Sequence, residues 1–160
     1  NPSHKHIVIL DNNILALPEH FRHIANQIND EDLTVDFNQG LDIRLINESN
    51  AEILASMRIH PENRFSWDDV KMEPQIRKGL DILANVGIKR AFWYVLVGYN
   101  STVEDDLHRL NVLKSLSQRA YVMRYKRSER IYTDMAAWAN QPAFFAKTTF
   151  EEFRMMRARA

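Results

Sequence analysis

Short runs of apolar, β-branched or aromatic residues alternate along the chain with longer stretches whose apolar residues recur every three or four positions. The short runs predict five β-strands, at 6–10, 33–38, 64–67, 91–97 and 120–125. Their midpoints recur roughly every 28–29 residues, which is close to the length of a strand–helix–strand unit. This alternation predicts an α/β fold with a parallel sheet.

Four helices are predicted between these strands. The first begins at Pro18, a residue that the first helical turn tolerates, and the second begins near Asn47. The third ends before Gly87, which suits a left-handed C-terminal cap. The fourth begins with a capping box formed by Ser101 and Glu104. Two further helices are predicted after the last strand, at 131–140 and 148–158.

Three of the strands carry polar side chains at every second position. These residues are Thr34, Asp36 and Asn38, then Arg64, Ser66 and Asp68, then Arg124 and Lys126, which share their face with the apolar Val122. Charges would be costly inside a flat sheet covered by helices on both faces, whereas a barrel interior open to a ligand accommodates them. We therefore predict a partial (β/α) barrel of about five parallel strands, since five strands cannot close the usual eight-stranded ring.

The predicted barrel is a single domain over 1–160, with the core strands and helices at 6–126 and a helical extension at 127–160. An open doubly wound sheet is the alternative architecture. In both architectures ligands bind at the carboxyl ends of the strands, and four of the five ends here carry clustered Asn, Asp, Gln or basic residues. Turns favour several of these residue types by themselves, but the set as a whole favours a binding site.

Composition narrows the possible functions. The chain has 21 basic and 21 acidic side chains, so its overall charge does not indicate a nucleic-acid-binding protein. It has no cysteine, which excludes a disulfide scaffold, a cysteine nucleophile and a cysteine-ligated metal within these residues. No apolar run approaches the ~20 residues of a membrane span, and no signal peptide is evident, so we expect a cytoplasmic protein.

Several segments together resemble radical S-adenosylmethionine (SAM) enzymes. Residues 94–104 (YVLVGYNSTVE) are similar to the family's fifth-strand motif, in which an apolar strand precedes a Gly and then a Glu that opens the next helix. Residues 11–13 (DNN) stand where its second strand contacts the SAM amino group. Residues 36–44 (DFNQGLDIR) and 121–125 (YVMRY) resemble the ends of its third and sixth strands. The resemblance covers nearly all of 6–126 and rests on order and spacing.

The resemblance implies SAM as a cofactor, cleaved reductively at a [4Fe–4S] cluster to give a 5′-deoxyadenosyl radical. The residues it places at the methionine amino group are Asp11, Asn12 and Asn13. Those it places near the ribose or carboxylate are Asn38, Gln39 and Asp68. Those it places beside the adenine are Val97, Gly98, and the backbone of Met123 and Arg124. It assigns no catalytic residue and no metal ligand to this chain.

The chain departs from the family in one large respect. The family's first strand is followed by C-x-x-x-C-x-x-C, whose thiolates hold three irons of the cluster, and this chain has no cysteine and no counterpart of that strand. Because it also begins at Asn1 rather than Met, we expect an inactive fragment that starts downstream of the cluster loop. The alternative is a degenerate homologue that serves as a binding or scaffold module for a nucleotide-like ligand or a protein partner.

Histidines and tryptophans are weaker candidates for a functional site. His4 pairs with His6, and His20 with His23, at spacings that could hold a metal, but two ligands without a third are poor evidence for one. The three tryptophans are expected in the core or in helix packing; they are Trp67, Trp93 and Trp138.

Two surfaces could bind partners. The basic segment 124–130 could contact the phosphates of a nucleic acid, although a solvated turn or ion pairs with Asp36 and Asp68 are the preferred interpretation. A strand missing before Ile7 would leave a sheet edge uncovered, which predicts self-association through that edge. The substrate and the reaction subtype are not indicated by the sequence.

Overall fold

The structure, a computed structural model, describes residues 4–159. Within that range the chain is α/β, as predicted, and its six strands form two small parallel three-stranded sheets that close no barrel. The strands are β1 His6–Ile9, β2 Thr34–Phe37, β3 Arg58–Ile59, β4 Arg64–Ser66, β5 Phe92–Val97 and β6 Arg119–Arg124. The helices are α1 Pro18–Asp30, α2 Glu48–Ser56, α3 Glu73–Asn85, α4 Val103–Ser115, α5 Arg130–Ala139, α6 Pro142–Lys147 and α7 Phe150–Arg159.

The described residues divide into two compact units. The first comprises 4–66 with 73–91, and the second comprises 67–72 with 92–159. The single domain expected over 1–160 stays a prediction, and Asn1, on which the fragment hypothesis partly depends, lies outside the described residues.

The first unit contains a parallel sheet in the order β1-β2-β3. Ile7 of β1 pairs in register with Val35 of β2, which is fully buried. Helix α1 begins at Pro18, as predicted, and buries Phe21, Ala25 and Ile28, which lie on one face because a helix repeats every 3.6 residues. These apolar side chains supply much of the unit's core.

Strand β1 is an edge of this sheet. Its Val8 is half exposed, and Leu10, which follows the strand, is two-thirds exposed. An apolar groove of about 560 Å³ runs beside the strand, lined in part by Ile9, Ile14 and Ile24. Self-association through this edge stays a prediction.

The second unit is built on β5 and β6, which pair in parallel along their full lengths. Strand β5 buries Trp93, Val95 and Val97 on one face. Trp138 of α5 is buried between Phe145 and Phe150, with ring centroids 5.0 and 5.6 Å away. The three tryptophans are each fully buried, which confirms their predicted place in the core.

Two short elements were not predicted. Strand β3 has two residues, which is too few for an alternating pattern to be recognised. Helix α6 has six residues and starts at Pro142, between the two helices predicted at 131–140 and 148–158. Pro142 marks a helix start here because its missing N–H group would have no partner in a first turn anyway.

The capping box of α4 is one residue later than predicted. Thr102 Oγ1 accepts a hydrogen bond from the Asp105 N–H group at 3.1 Å, and Asp105 Oδ2 accepts one from the Thr102 N–H group at 3.0 Å. Glu104 therefore lies in the first helical turn, outside the box. Residues 101–104 and 102–105 both fit the motif, and their spacing alone does not distinguish them.

The face of β6 that was predicted to be polar lies against α5. Val122 is buried, whereas Tyr121 and Met123 are exposed. Arg124 donates to Thr133 Oγ1 on α5 at 2.7 Å, so its side chain is used within the fold. The side chain of Asn140 bonds both the N–H and the C=O group of Val122. The chain after β6 thus covers the face that the sequence pattern assigned to the barrel interior.

No helix within 4–159 combines the length and the apolar character required to cross a bilayer.

Candidate ligand-binding ends of the parallel strands

The carboxyl end of β1 forms a tight turn with an acceptor that has no partner. Asp11 Oδ1 accepts a hydrogen bond from the Asn13 N–H group at 2.7 Å, which orders residues 11–13. The Asn13 Oδ1 atom is buried and accepts no hydrogen bond within the described chain. An unsatisfied buried acceptor costs free energy, and a bound N–H donor that reached it after a small loop shift would remove that cost.

The carboxyl end of β2 is organised by an arginine from β4. Arg64 donates to Asp36 Oδ2 at 2.8 Å and to Asn38 Oδ1 at 2.6 Å. The Asp36 and Arg64 side chains are only 12% and 16% exposed, yet Asp36 Oδ1 is buried without a hydrogen-bond partner. Arg64 is therefore the cation that pairs with Asp36, a role for which the sequence had offered the basic segment 124–130 as one alternative.

The turn that follows β2 needs its glycine. Gly40 has φ +85°, in the left-handed region that side chains disfavour, and its N–H group donates to the Phe37 carbonyl at 3.0 Å. Gln39 lies in this turn and is exposed. Further along the motif, hydrogen bonds from Arg44 lower the pKa of Asp42. In the second half of residues 36–44, Asp42 and Arg44 thus form a local ion pair at the start of a 3₁₀ turn.

In the second unit, Asp68 holds the backbone of the neighbouring strand. Its Oδ1 atom accepts a hydrogen bond from the Leu96 N–H group at 3.2 Å. Just before it, the Trp67 N–H group donates to the Tyr94 carbonyl at 2.9 Å. The alternative role for Asp68, an ion pair with the basic segment, is not formed, and a contact with a ribose stays a prediction.

Gly98, at the end of β5, is required by both conformation and packing. Its φ is +75°, and a Cβ atom at this position would lie 2.9 Å from the Tyr132 ring. Its N–H group donates to Asp106 Oδ2 at 2.9 Å. The turn after β5 is therefore held in one shape by α4 and α5.

A buried ion pair that the sequence reasoning missed ties these ends together. Asp106 and Arg109, both on α4, are fully buried and bonded to each other. Arg109 also donates to the carbonyl groups of Trp67 and Leu96, the latter at 2.8 Å. The available sequence signal was an Asp and an Arg three residues apart on the helix that follows the predicted glycine turn.

The end of β6 lies beside the end of β5. Met123 pairs in register with Leu96, and Arg124 pairs with Val97. The Tyr125 N–H group then donates to the Val97 carbonyl at 3.0 Å, so the pairing continues past the strand. Met123 is exposed, whereas Val97 is buried.

The predicted residues thus fall into two groups, one in each unit. Asp11, Asn12 and Asn13 follow β1, and Asn38 and Gln39 follow the adjacent strand β2. The second group lies at the ends of β4, β5 and β6; it comprises Asp68, Val97, Gly98, Met123 and Arg124. Parallel pairing brings the members of each group to the same end of their strands.

The described histidines do not gather into a metal site. Within 4–159 no three His, Asp or Glu side chains are placed to hold a metal ion. His6 instead packs edge-on against His60, with ring centroids 6.0 Å apart.

No protein-family model matches this chain, and neither a curated protein nor a solved structure is significantly similar to it. The resemblance to radical SAM enzymes stays a prediction that rests on the sequence pattern.

Proposed function

We propose that this chain is the SAM-cradling part of a radical SAM enzyme, built as a partial (β/α) barrel. The observation that carries the proposal is the turn after β1, where the Asp11 carboxylate stands beside the unpartnered Asn13 Oδ1 atom. An anionic group and an amide oxygen are the acceptors that an ammonium group needs. This is the position at which the resemblance expects the SAM amino group.

The other residues suit the remaining parts of SAM by their chemistry. Asn38 and Gln39 carry amide groups that can hydrogen bond ribose hydroxyls or a carboxylate. Gly98 presents backbone without a side chain, and Met123 offers an exposed thioether against which an adenine ring can pack. In this proposal the chain binds and orients SAM and shields it from water.

The residues of this chain do not fit an iron–sulfur cluster, because the cluster takes thiolate ligands and the chain has no cysteine. The proposal therefore assigns SAM binding to these 160 residues and no electron transfer. The chain is inactive by itself, and a cytoplasmic location belongs to the same proposal.

SAM binding by this chain tests the first part of the proposal. Isothermal titration calorimetry with SAM should give saturable binding, weakened about fivefold or more by Asp11→Asn, which removes the negative charge facing the amino group, and by Asn13→Ala, which removes an acceptor. The exposed Asn26→Ala on α1 is the matched control and should leave the affinity unchanged. Absence of binding at millimolar SAM, or equal affinities for all variants, would contradict the proposal.

The coding sequence tests the second part. A C-x-x-x-C-x-x-C motif shortly upstream of Asn1 supports the radical enzyme, and its absence supports the binding or scaffold module. A protein that carries the motif, reconstituted anaerobically with iron and sulfide, should form 5′-deoxyadenosine from SAM. An intact cluster without that product would exclude radical chemistry.

A further inference from the structure

One face of the β5–β6 pair is lined with aromatic and apolar side chains that remain partly exposed. Alternate residues of a strand point to opposite faces, so Tyr121, Met123 and Tyr125 share one face of β6 and its extension. Tyr121 is 43% exposed and Tyr125 is 60% exposed. On the same side, the Tyr121 ring contacts Tyr94 of β5 at a centroid distance of 6.2 Å.

At the carboxyl end of this face two exposed tyrosines touch each other. Tyr99, 45% exposed, follows Gly98, and its ring lies edge-on to that of Tyr125 with centroids 4.9 Å apart. We call Tyr99, Tyr121, Met123 and Tyr125 the tyrosine platform. Two mutually supporting rings at a strand end present aromatic surface to solvent in a fixed geometry.

The chain next to the platform is strongly basic although the protein is neutral overall. Between residues 119 and 130 the only acid is Glu129, and the cations are Arg119, Arg124, Lys126, Arg127 and Arg130. Arg124 is used by Thr133, and Lys126 lies 3.6 Å from Glu129. Lys126, Arg127 and Arg130 are all exposed, directly after Tyr125.

We propose that the tyrosine platform binds single-stranded nucleic acid, with bases stacked on Tyr99 and Tyr125 and phosphates held by Lys126, Arg127 and Arg130. Base stacking on aromatic rings beside a basic groove is the usual chemistry of such binding. An acidic peptide would pair with the cations but would leave the aromatic rings exposed to solvent. An apolar partner would cover the rings and leave charges desolvated. Met123 also belongs to the adenine site proposed for SAM, so nucleic-acid binding is tested in the absence of SAM and without reference to enzyme activity.

Fluorescence anisotropy with labelled fifteen-nucleotide oligo(dT) and oligo(U) tests this proposal on the full chain without SAM. Tyr125→Ala and Tyr99→Ala should each weaken binding about fivefold or more, and Tyr125→Phe, which keeps the ring, should not. Phe144→Ala removes an exposed aromatic ring of α6 outside the platform and should have no effect. Arg127→Gln should lower the dependence of log affinity on log salt by about 0.7, the slope of one phosphate contact.

Other outcomes overturn the proposal. Absence of binding at low salt would exclude a nucleic-acid site, and equal affinity for a fifteen-base-pair duplex would show charge attraction without stacking. Equal weakening by Phe144→Ala would exclude a specific role for the platform. Full competition by adenosine at concentrations below those of the oligonucleotide would assign the rings to a mononucleoside. Circular dichroism of each variant separates lost binding from lost folding.

Discussion

Two Asp–Arg pairs, one in each unit, use the same chemistry in different surroundings. In the second unit Asp106 and Arg109 are 0% exposed, and both carboxylate oxygens of Asp106 accept hydrogen bonds. In the first unit Asp36 and Arg64 are slightly exposed, and one oxygen of Asp36 has no partner. The Asp106 carboxylate is thus fully bonded, although Arg109 Nε is buried without a partner in the described chain, whereas Asp36 has one oxygen that can accept a further hydrogen bond.

The difference separates a pair whose carboxylate is fully bonded from one whose carboxylate can accept a further hydrogen bond. A buried ion pair depends on hydrogen bonds to its other polar atoms, and Asp106 with Arg109 uses such bonds to hold the backbone at Trp67, Leu96 and Gly98. A pair with an unsatisfied oxygen gains free energy when a ligand supplies the missing donor. We therefore expect the two pairs to respond differently to substitution.

The largest effect is expected for Arg109→Ala. It leaves the Asp106 charge buried without a cation, which should lower the free energy of unfolding by about 3–5 kcal/mol. Urea denaturation followed by tryptophan fluorescence measures the loss. Arg77→Ala is the matched control, because it breaks an exposed helical pair with Glu73, and it should cost less than about 0.5 kcal/mol. Similar losses of unfolding free energy for the two variants would show that burial of the Asp106–Arg109 pair does not matter for stability.

Two glycines with positive φ extend the comparison between the units, Gly87 in the first and Gly98 in the second. Gly98→Ala should cost about 2–4 kcal/mol, because the left-handed conformation and the contact with the Tyr132 ring both disfavour a side chain. Gly87→Ala should cost only about 1 kcal/mol, since its φ is +89° but nothing lies within 4 Å of the added atom. Equal melting temperatures for the two variants would show that packing around Gly98 yields without cost.

A smaller effect is expected for Asp36→Asn. One oxygen of Asp36 makes no hydrogen bond, and an amide in its place can still accept from Arg64, so the unfolding free energy should fall by about 1 kcal/mol. Asp106→Asn should cost clearly more, because both its oxygens are bonded. Urea titrations of the two variants side by side measure both losses. A larger loss of unfolding free energy for Asp36→Asn than for Asp106→Asn would contradict the expected order.

The smallest effect is a difference in acid response between two capping boxes. In the second unit, hydrogen bonds from Thr102 lower the pKa of Asp105 below its usual 3.8. The cap is therefore fully formed above pH 3.8 and is lost as the pH falls through the lower folded value. In the first unit the box at α2 joins Asn47 and Asn50, which do not titrate in this range.

Amide hydrogen exchange measures that difference. The first turn of α4 should lose protection below pH 3.8 relative to the first turn of α2, after correction for the intrinsic pH dependence of exchange. Asp105→Asn should abolish the acid-specific part of the loss. Parallel behaviour of the two helices over this range would contradict the assigned role of Asp105.

Much of the fold could be predicted from local patterns. The five predicted strands are all present within one residue at each end, and α1 begins at Pro18 as expected. Gly87 has the positive φ of a left-handed cap, and Thr149 with Glu152 exchanges hydrogen bonds before α7 in the pattern of a capping box. These features depend on neighbouring residues, whose propensities are visible in the sequence.

The candidate site was predictable only as a set of strand ends. Residues such as Asn13 and Asn38 could be placed there because parallel strands end together. That Arg64 is the partner of Asp36 could not be predicted, because the two residues are 28 positions apart and the chain offers several other cations.

The amino-acid sequence by itself determined the α/β class, the bounds of five strands to within one residue, and the end of each of these strands at which polar residues collect. Only the tertiary structure decided that Val122 is buried while Tyr121 is exposed, since α5 covers one face of β6. It also decided that Asp106 is saturated and that Asp36 is not. Burial and hydrogen-bond saturation depend on atoms brought together from distant parts of the chain, which alternation and spacing do not encode.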